Sequence, residues 1–193
     1  MTTWHWVRHG PTNEKAFVGW RDVPADLSDT AQISRLRQAL PGQALVISSD
    51  LLRASATADV ITGPGHQRLD HHPDLREMHF GVWDGMHFDA VAARDPVLSR
   101  AFWEEPGDVR APDGESWNMT AQRVSAVVQQ MNVAHPGADI IAVAHFGVIL
   151  TQIQQALQVP PYDALAHRID NLSVTTISWD GDAGKVHRIN HLS

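Results

Sequence analysis

Three short apolar runs that break off into polar residues constrain this chain most. They are Trp4-His5-Trp6-Val7 before Arg8-His9-Gly10, Ala44-Leu45-Val46-Ile47-Ser48 before Ser49-Asp50, and Ile140-Ile141-Ala142-Val143-Ala144 before His145-Phe146-Gly147. Short apolar runs of this kind suit strands covered on both faces, as in a parallel sheet packed between helices. Strands running the same way bring their polar ends to one edge of the sheet. The expected fold class is therefore α/β: a three-layer sandwich with a mostly parallel central sheet flanked by helices.

The intervening segments supply the helices. Asp29 and Gln32 have the spacing of a capping-box start, and Ile33, Leu36 and Leu40 then repeat at helical intervals until Pro41-Gly42 stops them. Asp50 is expected to cap a helix carrying Leu51, Ala54, Ala58 and Ile61, and Ile149, Ile153 and Leu157 mark another after His145. From Ser116, the positions Trp117, Ala121, Val124, Val128 and Met131 predict a longer helix. Residues 82–115 are irregular, with Pro96, Pro106, Pro112 and Gly114 interrupting helical stretches around Phe88–Val91 and Leu98–Trp103, and read as a small cap inserted over the sheet edge. The tail, Ser173–Trp179 and Lys185–Ile189 around Asp180-Gly181-Asp182, reads as two strands and a turn. At 193 residues, without repeats, the chain is expected to form one domain over 1–193 with that cap at about 82–115.

Charge and composition narrow the function classes. With 15 basic and 22 acidic residues the formal charge is −7, which argues against nucleic acid or an anionic membrane as a partner, so an anionic ligand has to be held by clustered arginines. There is no cysteine, which removes disulfides, thiolate metal ligands and cysteine-based phosphatase chemistry. Neither a basic-then-apolar leader nor an apolar stretch of about 18 residues is present, and a soluble, cytoplasmic protein is expected.

His9, with Arg8 beside it at a strand end, offers a nucleophile next to a fixed positive charge. Both side chains reach one pocket only if the strand stops there, because neighbours in a strand face opposite ways, and Gly10 allows the stop. Arg53, in the first turn of a helix, can fork two phosphoryl oxygens, although a surface arginine packing its stem is commonplace there. His145 fits either the same pocket or a satisfied place in the core. Glu77, in Leu75-Arg76-Glu77-Met78, can be a desolvated acid that protonates a leaving alcohol, or half of a surface ion pair with Arg76, the commoner outcome for such spacing.

Taken together, Val7-Arg8-His9-Gly10 with Thr12, Gly19-Trp20-Arg21-Asp22, Ser48 to Ala54 with Thr57-Ala58, Leu75-Arg76-Glu77 with Phe80 to Gly85, Gly114-Glu115-Ser116, Ala144-His145 with Gly147-Val148-Ile149, and Asn171 with Ser173-Val174 resemble the histidine phosphatase superfamily, the phosphoglycerate mutase-like group, in its shorter bacterial phosphatase branch. The resemblance spans nearly the whole chain. It implies a phosphohistidine on His9, proton donation by Glu77, and phosphoryl binding by Arg8, Arg53 and His145, with help from Thr12 and the loop amide near Asn13. It implies no cofactor and no metal; the partners are a small phosphorylated substrate and inorganic phosphate.

Departures from the family pattern bear on specificity. The loop from His9 to Gly19 is short, Phe146 stands where relatives often have glycine, and Met78 replaces a substrate-binding arginine of the glycolytic mutases. A phosphomonoesterase is favoured over a mutase, with a catalytically silent phosphate-binding module as a further alternative. Arg94, Arg100 and Arg110 are expected in solvent. Trp83, Trp103, Trp117, Phe88 and Phe102 either anchor the cap or receive an apolar leaving group. Twelve histidines, including His71-His72, raise zinc binding, but no helical zinc pair is present.

Overall fold

The computed structural model describes residues 1–193. Six strands form one sheet: β1 (Thr2–Arg8), β2 (Ala44–Ser48), β3 (His66–Arg68), β4 (Asp139–Ala144), β5 (Val174–Asp180) and β6 (Ala183–His191), in the order β3-β2-β4-β1-β5-β6. The pairs among β1 to β4 are parallel, and β5 and β6 are added antiparallel. In register, Arg8 lies beside Ala144 and Ser48 beside Val143, so the three polar strand ends do share one edge. The ladder runs one residue further, with His9 N donating to Ala144 O and Ser49 N to Val143 O, both at 3.1 Å.

Helices α1 (Thr30–Ala39) and α2 (Leu52–Ile61) cover one face, where Ile33, Leu36, Ala54 and Ala58 meet Val46, Ile141 and Val143. On the other face, Ile140, Ala142 and the stacked pair Trp4 and Trp6 lie in a second core. They share it with side chains of α5 (Trp117–Ala134) and α6 (Phe146–Leu157). The alternation of β4 between the two cores is what makes three layers. Between β3 and α5, the short helices α3 (Phe88–Arg94) and α4 (Pro96–Glu104) form the expected cap region, and α7 (Pro161–Leu165) is a single turn after α6. No helix is long and apolar enough to cross a membrane.

One local expectation needs correction. Asp29 does cap α1, accepting from Gln32 N at 2.9 Å, but Asp50 does not cap α2. Asp50 instead accepts from Arg76 Nε at 2.7 Å, while Asp22, thirty residues upstream, accepts from Leu52 N at 2.6 Å. The distant carboxylate takes the helix start because the loop after β1 folds back across it. Strand β3, which no sequence signal announces, has only His66, Gln67 and Arg68, which carry no apolar pattern.

Candidate active site

His9 is the residue after β1, and its backbone is held from both sides. Asn171 Nδ2 donates to its carbonyl at 2.8 Å, and Gly10 N donates to Thr57 Oγ1 at 3.0 Å. The ring is 6% exposed, and its Nδ1 lies 2.6 Å from Gly10 O. A carbonyl only accepts, so Nδ1 carries the proton and Nε2 presents its lone pair. Arg53 Nε donates to that Nε2 at 3.3 Å. Burial first, then the charges of Arg53 and Arg8, push the His9 pKa down to about 3, against a raising contribution from the Gly10 bond. The imidazole is therefore neutral and nucleophilic at neutral pH.

Arg53 is 1% exposed, contrary to the surface position common for an arginine in a first turn. Its Nη1 donates to Arg21 O at 3.0 Å and its Nη2 to Gly19 O at 2.7 Å, so the guanidinium is fixed by backbone and keeps two N–H donors uncommitted. Arg8 is anchored by Nη1 to Ile169 O at 2.6 Å, lies over the Phe146 ring at 5.5 Å, and has a buried Nε without a protein partner. For both arginines burial lowers the pKa, with Glu77 opposing it.

His145 is fully buried with its ring centroid 5.1 Å from that of His9, and neither nitrogen has a protein partner. It is not a satisfied core histidine. Burial, then the Arg53 charge, hold its pKa well below the ordinary value, so it too is neutral.

Glu77 is 6% exposed and makes no ion pair with Arg76, which goes to Asp50. Gly147 N donates to both of its oxygens, at 3.1 and 3.2 Å, and Met78 N donates to Oε1 at 3.0 Å. A Cβ at position 147 would stand 2.6 Å from Glu77 Oε1, so only glycine lets the start of α6 approach this carboxyl.

A tether that sequence reading missed fixes the Glu77 backbone. Arg123, on α5, spends all five guanidinium N–H groups on carbonyls 74, 76 and 77 and on both oxygens of Glu115, at 2.7 to 2.9 Å. Glu115 in turn accepts from His79 N at 2.9 Å, and Trp20 Nε1 donates to Glu77 O at 2.7 Å. Nothing in the local pattern around Arg123 signals this; only the motif position of Glu115 points to the region.

Arg8, His9, Arg53, Glu77 and Thr12 all line one cavity of about 290 Å³. The Asn13 side chain lies outside it, exposed, donating to Asp26 at 3.4 Å, with its backbone at φ 59°. Phe17, Phe80, Phe88 and Trp103 form the opposite wall, with Glu14 at its edge, and Phe146 lines the cavity beside Arg8. The cap aromatics thus divide: Trp83, Phe102 and Trp117 are buried anchors, while Phe88 and Trp103 face the cavity. Arg94 and Arg100 pair with Asp95 and Glu104 away from it. Arg110 is exposed, as expected, and its Nε and Nη2 donate to Gly114 O at 3.0 and 2.8 Å. His71 is committed to Ser48 and Arg68, and His72 caps a turn at Asp74 N.

Residues 5–192 match the model of the histidine phosphatase superfamily, branch 1. Phosphoglycerate mutase-like protein 4 of Arabidopsis thaliana is 31% identical over 185 residues, 91% of this chain and 79% of that protein. Among solved structures, Bacillus stearothermophilus YhfR superposes with a TM-score of 0.89 at 28% identity, covering 100% of this chain and 98% of the other. Mycobacterial glucosyl-3-phosphoglycerate phosphatase Rv2419c gives 0.84 at 25% identity, with 99% of each chain covered. Against the mycobacterial sequences that it matches at 32% identity, the chain spans 46% of their length.

Proposed function

Because the chain belongs to the histidine phosphatase superfamily, branch 1, we propose that it is a metal-independent phosphomonoester hydrolase acting on a small phosphorylated metabolite through a phosphohistidine on His9. The observation that carries this reading is the His9 ring itself, neutral, with Nδ1 committed to Gly10 O and the Nε2 lone pair beside Arg53. Nε2 attacks phosphorus and the P–O bond to the alcohol breaks, with Glu77 in its acid form giving the departing oxygen a proton. Arg8, Arg53 and His145 bind the phosphoryl oxygens and stabilise the charge spread over them, and Thr12 and the loop amide near Asn13 assist. A water molecule then attacks the phosphohistidine, Glu77 takes the water proton, and inorganic phosphate leaves with His9 restored.

Hydrolysis is favoured over mutase transfer because the far side of the cavity has no cation for a second phosphate or a carboxylate. Arg8 and Arg53 are its arginines, and Met78, at the mutase arginine position, is buried. A silent binding module is disfavoured by the presence of both His9 and Glu77 along one cavity.

The test is hydrolysis of an aryl phosphate with and without chelator, with acid-labile, base-stable label sought on His9. Turnover that survives chelation and falls at least about 1000-fold in His9→Ala is expected. Full activity in His9→Ala overturns the mechanism, and transfer to 3-phosphoglycerate faster than to water favours the mutase.

A further inference from the structure

The cavity wall facing away from Arg8 and Arg53 is aromatic, and its rings are held in place. Phe17, 4% exposed, meets Phe88 at 4.5 Å and Phe80 at 4.9 Å edge to face, and Trp103 near-parallel at 6.0 Å. The cap helices bury Val91 and Phe102 in the core and leave Phe88 and Trp103 at the cavity mouth, 53% and 37% exposed. Folding alone does not reward two large rings left in water over a catalytic pocket, whereas a flat apolar ligand would cover them. The one charge on this side is Glu14, paired with Arg21 at 3.1 Å on the outside.

We propose that the leaving group accepted here is an uncharged aromatic alcohol seated against Phe17, Phe88 and Trp103, and that Glu14 discriminates against leaving groups bearing a carboxylate. The proposal rests on the hydrolase reading and adds the substrate class to it. Phe146 closes the near side, its face engaged by Arg8, so the ring of the alcohol enters between a phosphoryl-binding floor and the aromatic wall. A carboxylate there would meet Glu14, and no cation lines this side of the cavity, since Arg21 pairs with Glu14 from outside the lining.

Benzyl phosphate, glycerol 3-phosphate and 3-phosphoglycerate all release primary alcohols, so differences in kcat/KM among them report the wall rather than leaving-group chemistry. Wild-type kcat/KM should fall in that order, by at least about tenfold between first and last. The Phe88→Ala/Trp103→Ala double variant should lower the benzyl to glycerol ratio about tenfold, and Glu14→Gln should raise the 3-phosphoglycerate to glycerol ratio several-fold. Ratios near one, or unmoved by these substitutions while His9 still labels, overturn the substrate class and leave the hydrolase standing. If no ester turns over and His9 stays unlabelled, the hydrolase reading fails instead. Binding of benzylphosphonate against methylphosphonate then decides the wall separately: about tenfold tighter and lost in the double variant supports it, and equal affinity overturns it.

Discussion

The two halves of the catalytic cavity are held by different means. On the phosphoryl side, three side chains are tied to backbone, Arg53 to carbonyls 19 and 21, Arg8 to carbonyl 169 and His9 to carbonyl 10, while His145 is fully buried with both ring nitrogens unpartnered. On the leaving-group side, rings from the loop after β1 and from the cap lean on one another and stay partly in water. The first half sits at the aligned ends of β1 and β4 and at the start of α2 after β2, positions fixed by the sheet. The second sits on helices of seven and nine residues, which can change without disturbing the sheet. Under the proposed function, reaction type and substrate choice are then separable in this molecule.

Glu77 bridges the halves, and replacing it should give the largest split between substrates. Glu77→Gln should slow alkyl phosphates by about 100- to 10,000-fold and an activated aryl phosphate far less, since the latter leaves without a proton. Equal losses on both, measured by steady-state kinetics, would move Glu77 to the phosphoryl side as a binding group. Arg123→Lys should reproduce a weaker copy of this pattern, about tenfold on alkyl phosphates, because lysine cannot satisfy carbonyls 74, 76 and 77 together with Glu115. A purely structural Arg123 would lower the melting temperature and slow every ester alike.

The same contrast explains what is legible in the sequence. Strand ends announce themselves through an apolar run that stops at polar residues, so Arg8, His9 and His145 are readable as neighbours from the chain alone, as is the three-layer sheet. Whether a polar residue at such an end is buried is decided by distant partners. Arg53 and Glu77 each look like surface groups locally; Arg53 is drawn inward by the loop at Gly19 and Arg21, and Arg76 is diverted from Glu77 by Asp50. Asp22 and Arg123 act over thirty and more residues of sequence, and no period or cap signal carries that information. The cap aromatics do not divide into anchors and cavity wall by pattern, because that depends on which side of α3 and α4 meets the core.

Acid should distinguish the halves through stability. His9, with its pKa held at about 3, and His145, held well below its ordinary value, stay neutral in the folded protein, while in the unfolded chain both titrate near 6.5. Above pH 6.5 neither state gains a proton and the two groups have no effect. Below it the unfolded chain takes up protons that the folded protein refuses, so stability falls as pH falls, by up to about 1.4 kcal/mol per unit for each histidine. Urea melts at pH 7 and pH 5 should show this loss, and His145→Asn should flatten its slope, whereas Phe88→Ala should leave the slope alone.

The smallest effect is expected at Asn13, where the boundary between the halves is least sharply drawn. Its side chain reaches outward to Asp26 at 3.4 Å, a long and exposed bond, while its backbone takes φ 59° one residue from Thr12, which lines the cavity. If only the amide serves the phosphoryl group, Asn13→Gly keeps that amide and tolerates the same φ, and kcat/KM should stay within about twofold. Asn13→Ala keeps the amide too but resists a positive φ, so its loss should exceed that of the glycine variant through displacement of the loop. A tenfold loss in Asn13→Gly would mean that the side chain itself turns inward onto the phosphoryl group, and this loop would then belong with the buried, backbone-tied half of the cavity.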